Sequence, residues 1–240
     1  MNNLILVRHG QSQWNKERRF TGWADIDLTK QGQLEAKLAG ELIKKLEIKF
    51  NAYFTSVQKR ATATLNIILN ILNESNAQIK NAWQLNERHY GGLTGLNKDE
   101  IIKKHGIEKV NIWRRSFDIP PPPMELSSPY HPSKNKIYAN IPIDKIPYGE
   151  SLKDTFERVV PYYKKEIEPL IVTKKNILIT AHGNSLRALC KKIINISKEK
   201  IISFEIPTGN PLLITFDGNL KVKNYKYLDN KRAKNILFNV

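Results

Sequence analysis

Cysteine is almost missing from this chain, which has a single copy, Cys190, among 240 residues. One thiol excludes an internal disulfide framework and suits a reducing compartment. Long apolar runs are missing as well, since the N-terminal run before Arg8 has only four residues, and a membrane span needs about 20. We therefore expect no signal peptide and no membrane segment, and a cytoplasmic protein by default. Cys190 lies in an apolar, helix-like stretch, which predicts a buried and inert thiol.

Acidic residues are the minority charge. There are 23 Asp and Glu against 39 Lys and Arg, which gives a formal net charge of +16 and a pI near 9.8. A basic surface attracts anions such as phosphorylated metabolites, nucleic acids or acidic lipids. The lysines are scattered through helix-like segments, and no nucleic-acid-binding motif or interleaved aromatic stripe is visible. This distribution favours solvated helix faces with one local anion site over a nucleic-acid partner.

Strand-like and helix-like segments alternate along the chain. The predicted strands are 4–7, 52–55, a weaker one at 78–85, 176–181, 212–216 and 221–227, with a hairpin turn at 217–219. The predicted helices are 29–45, 61–72, 151–167 and 184–194. On the first of these helices, the apolar face is formed by Leu34, Leu38, Leu42 and Leu46. The alternation predicts a three-layer α/β fold, in which a mostly parallel sheet is flanked by helices on both faces.

Segment 118–150 interrupts this alternation. It contains eight of the twelve prolines and has little periodicity. It is either a linker between two domains or an irregular excursion from one domain. We favour the excursion, because the second strand that ends in a histidine lies after it, and long loops of this kind are often lids or binding loops. The prediction is therefore a single domain over 1–240.

Two of the five histidines lie at the ends of predicted strands, and each of them precedes a glycine. His9 follows the first strand, and His182 follows strand 176–181. Because the carboxyl ends of strands in open α/β sheets border the ligand crevice, we expect both imidazoles in one site. The histidines form no i, i+4 pair and there is no cysteine cluster, so these patterns disfavour a catalytic metal.

Arginines near the first histidine indicate its chemistry. Arg8 precedes His9, and Arg60 lies at another turn. Guanidinium groups repel a metal cation but bind phosphate bidentately, so we interpret His9 as a neutral imidazole that attacks a phosphoryl group. Positioned cations and amides catalyse phosphoryl transfer, and the candidates here are Arg8, Arg60, His182 and the turn at 183–184.

Phosphoryl transfer to and from a hydroxyl also needs a proton donor and a shield against water. Glu87, at the end of the weaker strand, is the best placed carboxylate, although a surface salt bridge to Arg88 would explain it equally well. Candidate walls are segment 118–150 and the Trp-Arg-Arg sequence at 113–115. For the latter, a solvated basic corner is the alternative.

These residues belong to motifs that carry a resemblance over nearly the whole chain. Residues 6–10 with 182–184 are similar to the histidine phosphatase superfamily, which is a signal at superfamily level only. The longer motifs lie at 8–15, 20–23, 55–61, 85–91, 95–98, 113–115, 181–188 and 206–209. Together they resemble the 2,3-bisphosphoglycerate-dependent phosphoglycerate mutases, and the Glu-Arg-His-Tyr, Trp-Arg-Arg and Thr-Gly-Trp blocks are specific to that branch.

The resemblance implies a reaction, a cofactor and a set of roles. His9 is the phosphohistidine, primed by 2,3-bisphosphoglycerate, Glu87 is the proton donor and acceptor, and His182, Arg8 and Arg60 stabilise the phosphoryl group in transit. The isomerase interconverts 3-phosphoglycerate and 2-phosphoglycerate in glycolysis and gluconeogenesis, without a metal, as a homodimer or homotetramer. The implied substrate-binding residues are Arg8, His9, Gly10, Gln11, Ser12, Gln13, Trp14, Asn15, Thr21, Gly22, Arg60, Glu87, Arg88, His89, Tyr90, Lys98, Arg114, Arg115, Gly183 and Asn184.

Two positions and the C-terminus depart from the pattern of that family. Gln11 replaces the usual glutamate and removes a negative charge near the predicted phosphate pocket; we expect tolerance, because glutamine still forms hydrogen bonds. Asn210 stands where an apolar residue is usual, and the sequence offers no reason for it. The tail, 228–240, matches no motif, so the ratio of mutase to phosphatase activity is not fixed.

Three other functions stay open at this point. A phosphatase of the superfamily would keep both histidines but would not need the blocks at 87–90 and 113–115. A bisphosphoglycerate synthase would keep nearly every motif. A non-catalytic binding module would have lost at least one of four residues that are all present: His9, Arg60, Glu87 and His182.

Overall fold

One six-stranded sheet forms the centre of the protein in the computed structural model, which describes residues 2–233. Its strands are β1 (Asn2–Arg8), β2 (Ala52–Thr55), β3 (Ile79–Asn81), β4 (Ile177–Ala181), β5 (Leu212–Phe216) and β6 (Val222–Tyr227). They lie in the order β3-β2-β4-β1-β5-β6, with β1 to β4 parallel to one another and β5 antiparallel to both of its neighbours. The prediction of a mostly parallel sheet is confirmed.

Helices cover both faces of this sheet. They are α1 (Gln13–Lys16), α2 (Lys30–Lys44), α3 (Lys59–Leu72), α4 (Lys98–His105), α5 (Ile107–Arg115), α6 (Leu152–Tyr162), α7 (Glu168–Val172) and α8 (Gly183–Ile193). Side chains of β1 alternate between two cores, because successive residues of a strand point to opposite faces. Leu4 and Leu6 pack with α6 and α8, whereas Ile5 and Val7 pack with α2 and α3. The predicted three layers are therefore present.

Helix α2 begins after Thr29 as predicted, but it buries a different face from the leucine stripe. Leu34 and Leu38 are 57% and 39% exposed. The residues buried instead are Gly32, Ala36, Ala39, Gly40 and Ile43. Small residues let α2 approach α3 closely: a Cβ at Gly40 would lie 2.9 Å from the Cβ of Ile71. The periodicity of the large apolar residues therefore does not predict which face of α2 is buried.

Two other predicted elements are divided. The strand predicted at 78–85 is only the three-residue β3, followed by a 3-10 helix, Trp83–Leu85. The helix predicted at 151–167 continues further, as α6, a π-helical stretch over Tyr163–Ile167 and then α7. Pro161, near the end of α6, has no N–H to donate, and the change of hydrogen-bond pattern follows it.

Segment 118–150, all of which is described, is irregular apart from three 3-10 helices, Pro132–Lys134, Lys136–Tyr138 and Ile143–Lys145. It is attached to the loops that carry Gly92 and Trp23. The amide of Gly92 donates to the carbonyl of Pro122 at 2.8 Å, and the buried Tyr138 hydroxyl donates to the carbonyl of Trp23. These contacts favour an excursion over a linker, while the single domain over 1–240 stays a prediction.

Asn210, unexplained by the sequence, attaches the chain after β6 to the loop before β5. Its buried side chain donates to the carbonyl of Asp229 at 3.0 Å and accepts from the amide of the same residue at 3.1 Å. An apolar residue at 210 could form neither bond. The predicted tail is 228–240. The structure describes its residues 228–233, and 234–240 lie outside the described residues.

Candidate active site

The two predicted histidines meet because β1 and β4 are adjacent parallel strands that end side by side. Arg8 lies opposite Ala181 in the register, and the amide of His9 donates to the carbonyl of Ala181 at 3.0 Å. The ring centroids of His9 and His182 are 5.0 Å apart, and the ring planes are inclined at 62°. Both residues are buried. They form one centre, as the strand ends predict.

The hydrogen bonding of His9 determines which ring nitrogen is free. Nδ1 lies 2.6 Å from the carbonyl oxygen of Gly10. Because a carbonyl only accepts, Nδ1 carries the proton and Nε2 keeps its lone pair. Burial holds the pKa of His9 well below its ordinary value, and the neighbouring cations Arg60 and Arg8 lower it further. His9 is thus a neutral imidazole with an unprotonated Nε2, which is the nucleophilic form.

His182 is hydrogen-bonded to Ser56, a residue to which the sequence motifs assign no role. Nε2 of His182 lies 2.7 Å from Oγ of Ser56, the first residue after β2. That Oγ also accepts from the amide of Gln58 at 3.2 Å, and Ser56 is fully buried. Burial is the main reason that the pKa of His182 lies well below its ordinary value, followed by Arg60 and His9. The signal available in the sequence was the position of Ser56 directly after a strand.

Two arginines beside the histidines are oriented by backbone carbonyls. Arg60 lies in the first turn of α3, is 1% exposed, and donates to the carbonyls of Gly22 at 2.8 Å and Ala24 at 2.9 Å. Arg8, the last residue of β1, donates through Nη1 to the carbonyl of Ile206 at 3.0 Å. Carbonyls fix these guanidinium groups without neutralising them. Their positive charge therefore stays available to an anionic ligand.

Glu87 is buried, and its hydrogen bonds go to backbone amides. Oε1 accepts from the amide of Arg88 at 2.8 Å and from the amide of Asn184 at 3.0 Å. Asn184 is the second residue of α8, so this carboxylate is joined to the helix that follows His182. The alternative of a surface salt bridge to Arg88 is wrong, because Glu87 is not at the surface.

The backbone of Glu87 is held through both its amide and its carbonyl. Its amide donates to Oε1 of Gln58 at 2.9 Å, and its carbonyl accepts from Nε1 of Trp23 at 2.6 Å and from Nη2 of Arg158 at 3.0 Å. Arg158 in turn forms a buried ion pair with Glu150, with an N–O distance of 2.6 Å. No sequence motif indicates the roles of Arg158 and Glu150, which support Glu87 from outside the cavity.

These groups open onto a cavity of about 230 Å³. Seven of its lining residues are cationic, namely Arg8, Arg19, Arg60, Lys98, Arg114, Arg115 and Arg187. The others are His9, Asn15, Thr21, Glu87, Tyr90, Gly183, Asn184, Glu205 and Ile206. Within the described residues, buried polar atoms of three lining residues have no hydrogen-bond partner: Arg8 Nε, Thr21 Oγ1 and Arg187 Nε. Such a cavity suits a small ligand with more than one negative charge.

Comparison with known families matches two segments of the chain, 4–131 and 127–224, to the histidine phosphatase superfamily (branch 1). Among curated proteins, a 2,3-bisphosphoglycerate-dependent phosphoglycerate mutase of Pelagibacter ubique is 53% identical over 99% of this chain and 99% of its own length. One of the same name from a Caulobacter species is 51% identical over 96% of each chain. The chain belongs to this mutase family, within the histidine phosphatase superfamily.

Solved structures share the fold of this mutase-family member. The alpha-ribazole phosphatase of Shigella flexneri superposes with a TM-score of 0.66 at 21% identity, covering 92% of this chain and 95% of the other. YhfR of Bacillus stearothermophilus gives a TM-score of 0.67 at 24% identity, covering 92% and 94%. At these identities the likeness concerns the fold alone, and it agrees with the predicted phosphoglycerate mutase-like architecture.

Many of the residues that the motifs assign to the site of this family member line the cavity. They are Arg8, His9, Asn15, Thr21, Arg60, Glu87, Tyr90, Lys98, Arg114, Arg115, Gly183 and Asn184. His182 lies behind His9, in ring contact with it. Of the two predicted walls, the basic sequence at 113–115 does line the cavity, through Arg114 and Arg115. Segment 118–150, although fully described, contributes no lining residue. It contacts the loops that carry Trp23 and Gly92, and the Tyr130 hydroxyl accepts from the lining residue Arg19 at 3.4 Å.

The other predicted binding residues do not line the cavity. They are Gly10, Gln11, Ser12, Gln13, Trp14, Gly22, Arg88 and His89. Some of them position residues that do. Ser12 is the N-cap of α1, and its hydroxyl accepts from the amide of Asn15 at 3.3 Å. Arg88 is fully buried and donates through Nη2 to the carbonyl of Arg114 at 2.9 Å.

Gln11 and His89 both have partners away from the cavity. The side-chain oxygen of Gln11 accepts from the hydroxyl of Thr29, the N-cap of α2, at 3.0 Å. Glutamine therefore serves the hydrogen bond that positions this loop. Nδ1 of His89 accepts from the amide of Gly91 at 3.0 Å. Burial, with His131 and Arg158 adding to it, lowers the pKa of His89 to about 3, so its ring stays neutral.

The motifs assign no site role to four lining residues, although two of these lie within the motifs at 181–188 and 206–209: Arg19, Arg187, Glu205 and Ile206. Arg187 could have been found, since it lies three residues after Asn184 on one face of α8 and donates to the Asn184 side-chain oxygen at 2.8 Å. Glu205 and Ile206 precede β5 and reach the cavity because Arg8 bonds the Ile206 carbonyl. No local sequence pattern predicts this long-range contact between Arg8 and Ile206.

Between 2 and 233, three or more His, Cys, Asp or Glu side chains nowhere gather in a group that could hold a metal ion. No helix in the same range has the length and apolar character needed to cross a membrane.

Proposed function

We propose that this protein interconverts 3-phosphoglycerate and 2-phosphoglycerate through a phosphohistidine on His9, primed by 2,3-bisphosphoglycerate, with Glu87 as proton donor and acceptor. The observation that supports this best is the neutral His9, with its free Nε2, in a cavity with seven cationic residues and a buried carboxylate. The names of the relatives at 53% and 51% identity agree with this reaction. The reaction belongs to glycolysis and gluconeogenesis.

The first half of the reaction loads the histidine. Nε2 of His9 attacks the phosphorus atom, an N–P bond forms, and the P–O bond to the leaving oxygen breaks. Charge builds up on the equatorial oxygens of the phosphoryl group in this step, and Arg8 and Arg60 are placed to stabilise it. His182 is held beside the His9 ring by Ser56 and limits its movement.

The second half transfers the phosphoryl group from His9 to the 2-hydroxyl of 3-phosphoglycerate, so that the N–P bond breaks and an O–P bond forms. Return of the 3-phosphoryl group of the resulting 2,3-bisphosphoglycerate to His9 then releases 2-phosphoglycerate and restores the phosphohistidine. Glu87 gives a proton to the leaving oxygen in the first half and takes one from the incoming hydroxyl in the second. The carboxylate is suited to both tasks, because it is oriented through Oε1 by two backbone amides that hold it in place without donating a charge.

The cavity also fits the priming ligand. 2,3-Bisphosphoglycerate supplies the phosphoryl group that loads His9. Its several negative charges match the seven cationic lining residues, and the unpartnered Nε of Arg8, Oγ1 of Thr21 and Nε of Arg187 are donors aimed at no other described group. The metal-free reaction proposed here needs no further cation, since the guanidinium groups supply the positive charge.

A coupled assay tests this function. Formation of 2-phosphoglycerate from 3-phosphoglycerate is measured with and without added 2,3-bisphosphoglycerate, alongside the release of inorganic phosphate. We expect mutase activity that rises strongly with the added cofactor. Equal activity without it would contradict priming. Phosphate release that outpaces 2-phosphoglycerate formation would identify a phosphatase instead, and net accumulation of 2,3-bisphosphoglycerate from an acyl phosphate donor would identify a synthase.

The proposal includes the state of the protein in the cell. It is a single domain, acts in the cytoplasm on small phosphoglycerates, and assembles as a homodimer or homotetramer, as its membership of this family implies. Light scattering coupled to size exclusion measures the assembly directly. A mass equal to one chain of 27.7 kDa would contradict it.

A further inference from the structure

The rim of the cavity holds a carboxylate that the proposed reaction does not use. Only two of the lining residues are acidic, Glu87 and Glu205, against seven cationic ones. Glu87 has the proton-transfer role. Glu205 therefore places a negative charge in a cavity that is otherwise suited to anions, where like charges repel the ligand.

The backbone at Glu205 is fixed by buried groups on both sides. The hydroxyl of Tyr227, which is 1% exposed as a residue, donates to the carbonyl of Glu205 at 3.0 Å. The carbonyl of the next residue, Ile206, accepts from Arg8 at 3.0 Å. The position of Glu205 is thus tied to the end of β1 and to β6. The fold therefore places its side chain at the cavity.

The side chain of Glu205 forms an ion pair with Arg115, through Oε1 and Nη2. Both side chains are partly exposed, Glu205 at 51% and Arg115 at 31%, whereas His9 is 2% exposed. The pair therefore lies at the outer end of the cavity and the reacting imidazole at the inner end. Exposed ion pairs are weak, so an anionic ligand can separate this one.

We propose that Glu205 is a specificity-determining residue, whose carboxylate competes with the second anionic group of a ligand for Arg115. This inference rests on the proposed function, in which one phosphate of the ligand lies at His9. The ligand's other anionic group, a carboxylate or a second phosphate, then reaches toward the outer end and must displace Glu205. Ligands whose single phosphate is their only anionic group do not meet this competition, so Glu205 selects against a second charged group at the outer end of the ligand.

The test compares two ligands that differ in one charged group. 3-Phosphoglycerate carries a carboxylate where glycerol 3-phosphate carries a neutral hydroxymethyl group. Isothermal titration gives the dissociation constant of each for the wild type and for Glu205→Gln, at one ionic strength. We expect 3-phosphoglycerate to bind Glu205→Gln about two- to fivefold more tightly, the size of one exposed ion pair. Glycerol 3-phosphate should bind both proteins equally.

The control variant is Glu157→Gln, which removes the same charge from an exposed ion pair with Lys153 on α6. It should leave both dissociation constants unchanged, and thermal unfolding should show that both variants are folded. A similar change for both ligands would reduce Glu205 to a general electrostatic effect and overturn the proposal, as would no change, weaker binding, or no binding of 3-phosphoglycerate by either protein. Failure of the mutase assay with the expected difference in binding would refute only the proposed reaction.

Discussion

The imidazole rings of His9 and His182 lie 5.0 Å apart in a buried site, and both have pKa values well below the ordinary one. Two charged imidazoles at this distance would repel each other, and each would also be repelled by Arg60. The fold therefore holds both rings neutral at neutral pH. The neutral, nucleophilic imidazole of His9 thus follows from the burial of two adjacent strand ends. The same burial makes the stability of the fold sensitive to acid.

Acid should destabilise the protein through these histidines. A histidine with a lowered folded pKa contributes stability that is present above the unfolded value, near 6.5, and is lost as the pH falls below it, because the unfolded chain binds more protons. Urea unfolding from about pH 7.5 down to about pH 5.5 should show this loss. In His9→Gln the slope of the free energy of unfolding against pH should be lower than in the wild type by up to about 1.4 kcal/mol per pH unit. An unchanged slope would show that His9 is not held neutral.

Replacing Glu87 by glutamine should separate proton transfer from structure. The amide oxygen of glutamine can still accept from the amides of Arg88 and Asn184, so the fold and ligand binding should persist. The mutase rate should fall by about 10²–10⁴, the usual contribution of a general acid–base. Steady-state kinetics with 3-phosphoglycerate measures this. A kcat equal to that of the wild type would remove Glu87 from the role.

Tyr90 should ionise at a lower pH than the other tyrosines. Burial alone would raise its pKa, but Arg88, whose guanidinium lies 4.7 Å above the ring, and Lys98 outweigh it and lower the pKa to about 8. Above that pH a phenolate would line the cavity and weaken anion binding. The ultraviolet absorbance of tyrosinate should show one early step, absent in Tyr90→Phe. Tyr138, with a pKa that burial raises, serves as a control in the same spectra. An early step that persists in Tyr90→Phe would contradict the assignment.

The buried pair of Glu150 and Arg158 should matter for stability. Glu150→Gln would leave the Arg158 guanidinium buried without its carboxylate, which costs about 3–5 kcal/mol in comparable cases. The exposed Glu157→Gln on the same helix as Arg158 should change the free energy of unfolding by less than about 0.5 kcal/mol. Denaturant unfolding of the two variants gives both values. Similar small values would mean that the pair is not essential to the fold.

Much of this site could be predicted because its chemistry follows local patterns. His9 and His182 each follow an apolar run and precede glycine, and parallel neighbouring strands bring such ends together. Arg60 could be inferred because it lies at the turn between a predicted strand and a predicted helix. In these cases sequence spacing and spatial position are linked by a single regular element, so the residue type and its place could be inferred together.

The rest depends on long-range packing that no local pattern encodes. Glu205 reaches the cavity where Tyr227 holds its carbonyl and Arg8 holds the carbonyl of the next residue. Arg158 meets Glu87 across more than seventy positions of sequence. Helix α2 turns its small residues inward because they allow close contact with α3, although its leucines are more hydrophobic. Size complementarity of this kind is a property of two surfaces and cannot be inferred from one of them.

The phosphorylation of His9 tests the central proposal most directly. The protein is incubated with 2,3-bisphosphoglycerate, and the phosphorylated residue is located by mass spectrometry under conditions that preserve phosphohistidine. The expected result is one phosphoryl group, on His9, present in the control variant His105→Ala and absent in His9→Ala, which should also lack mutase activity. A phosphoryl group on any other residue, or mutase activity in His9→Ala equal to that of the wild type, would contradict it.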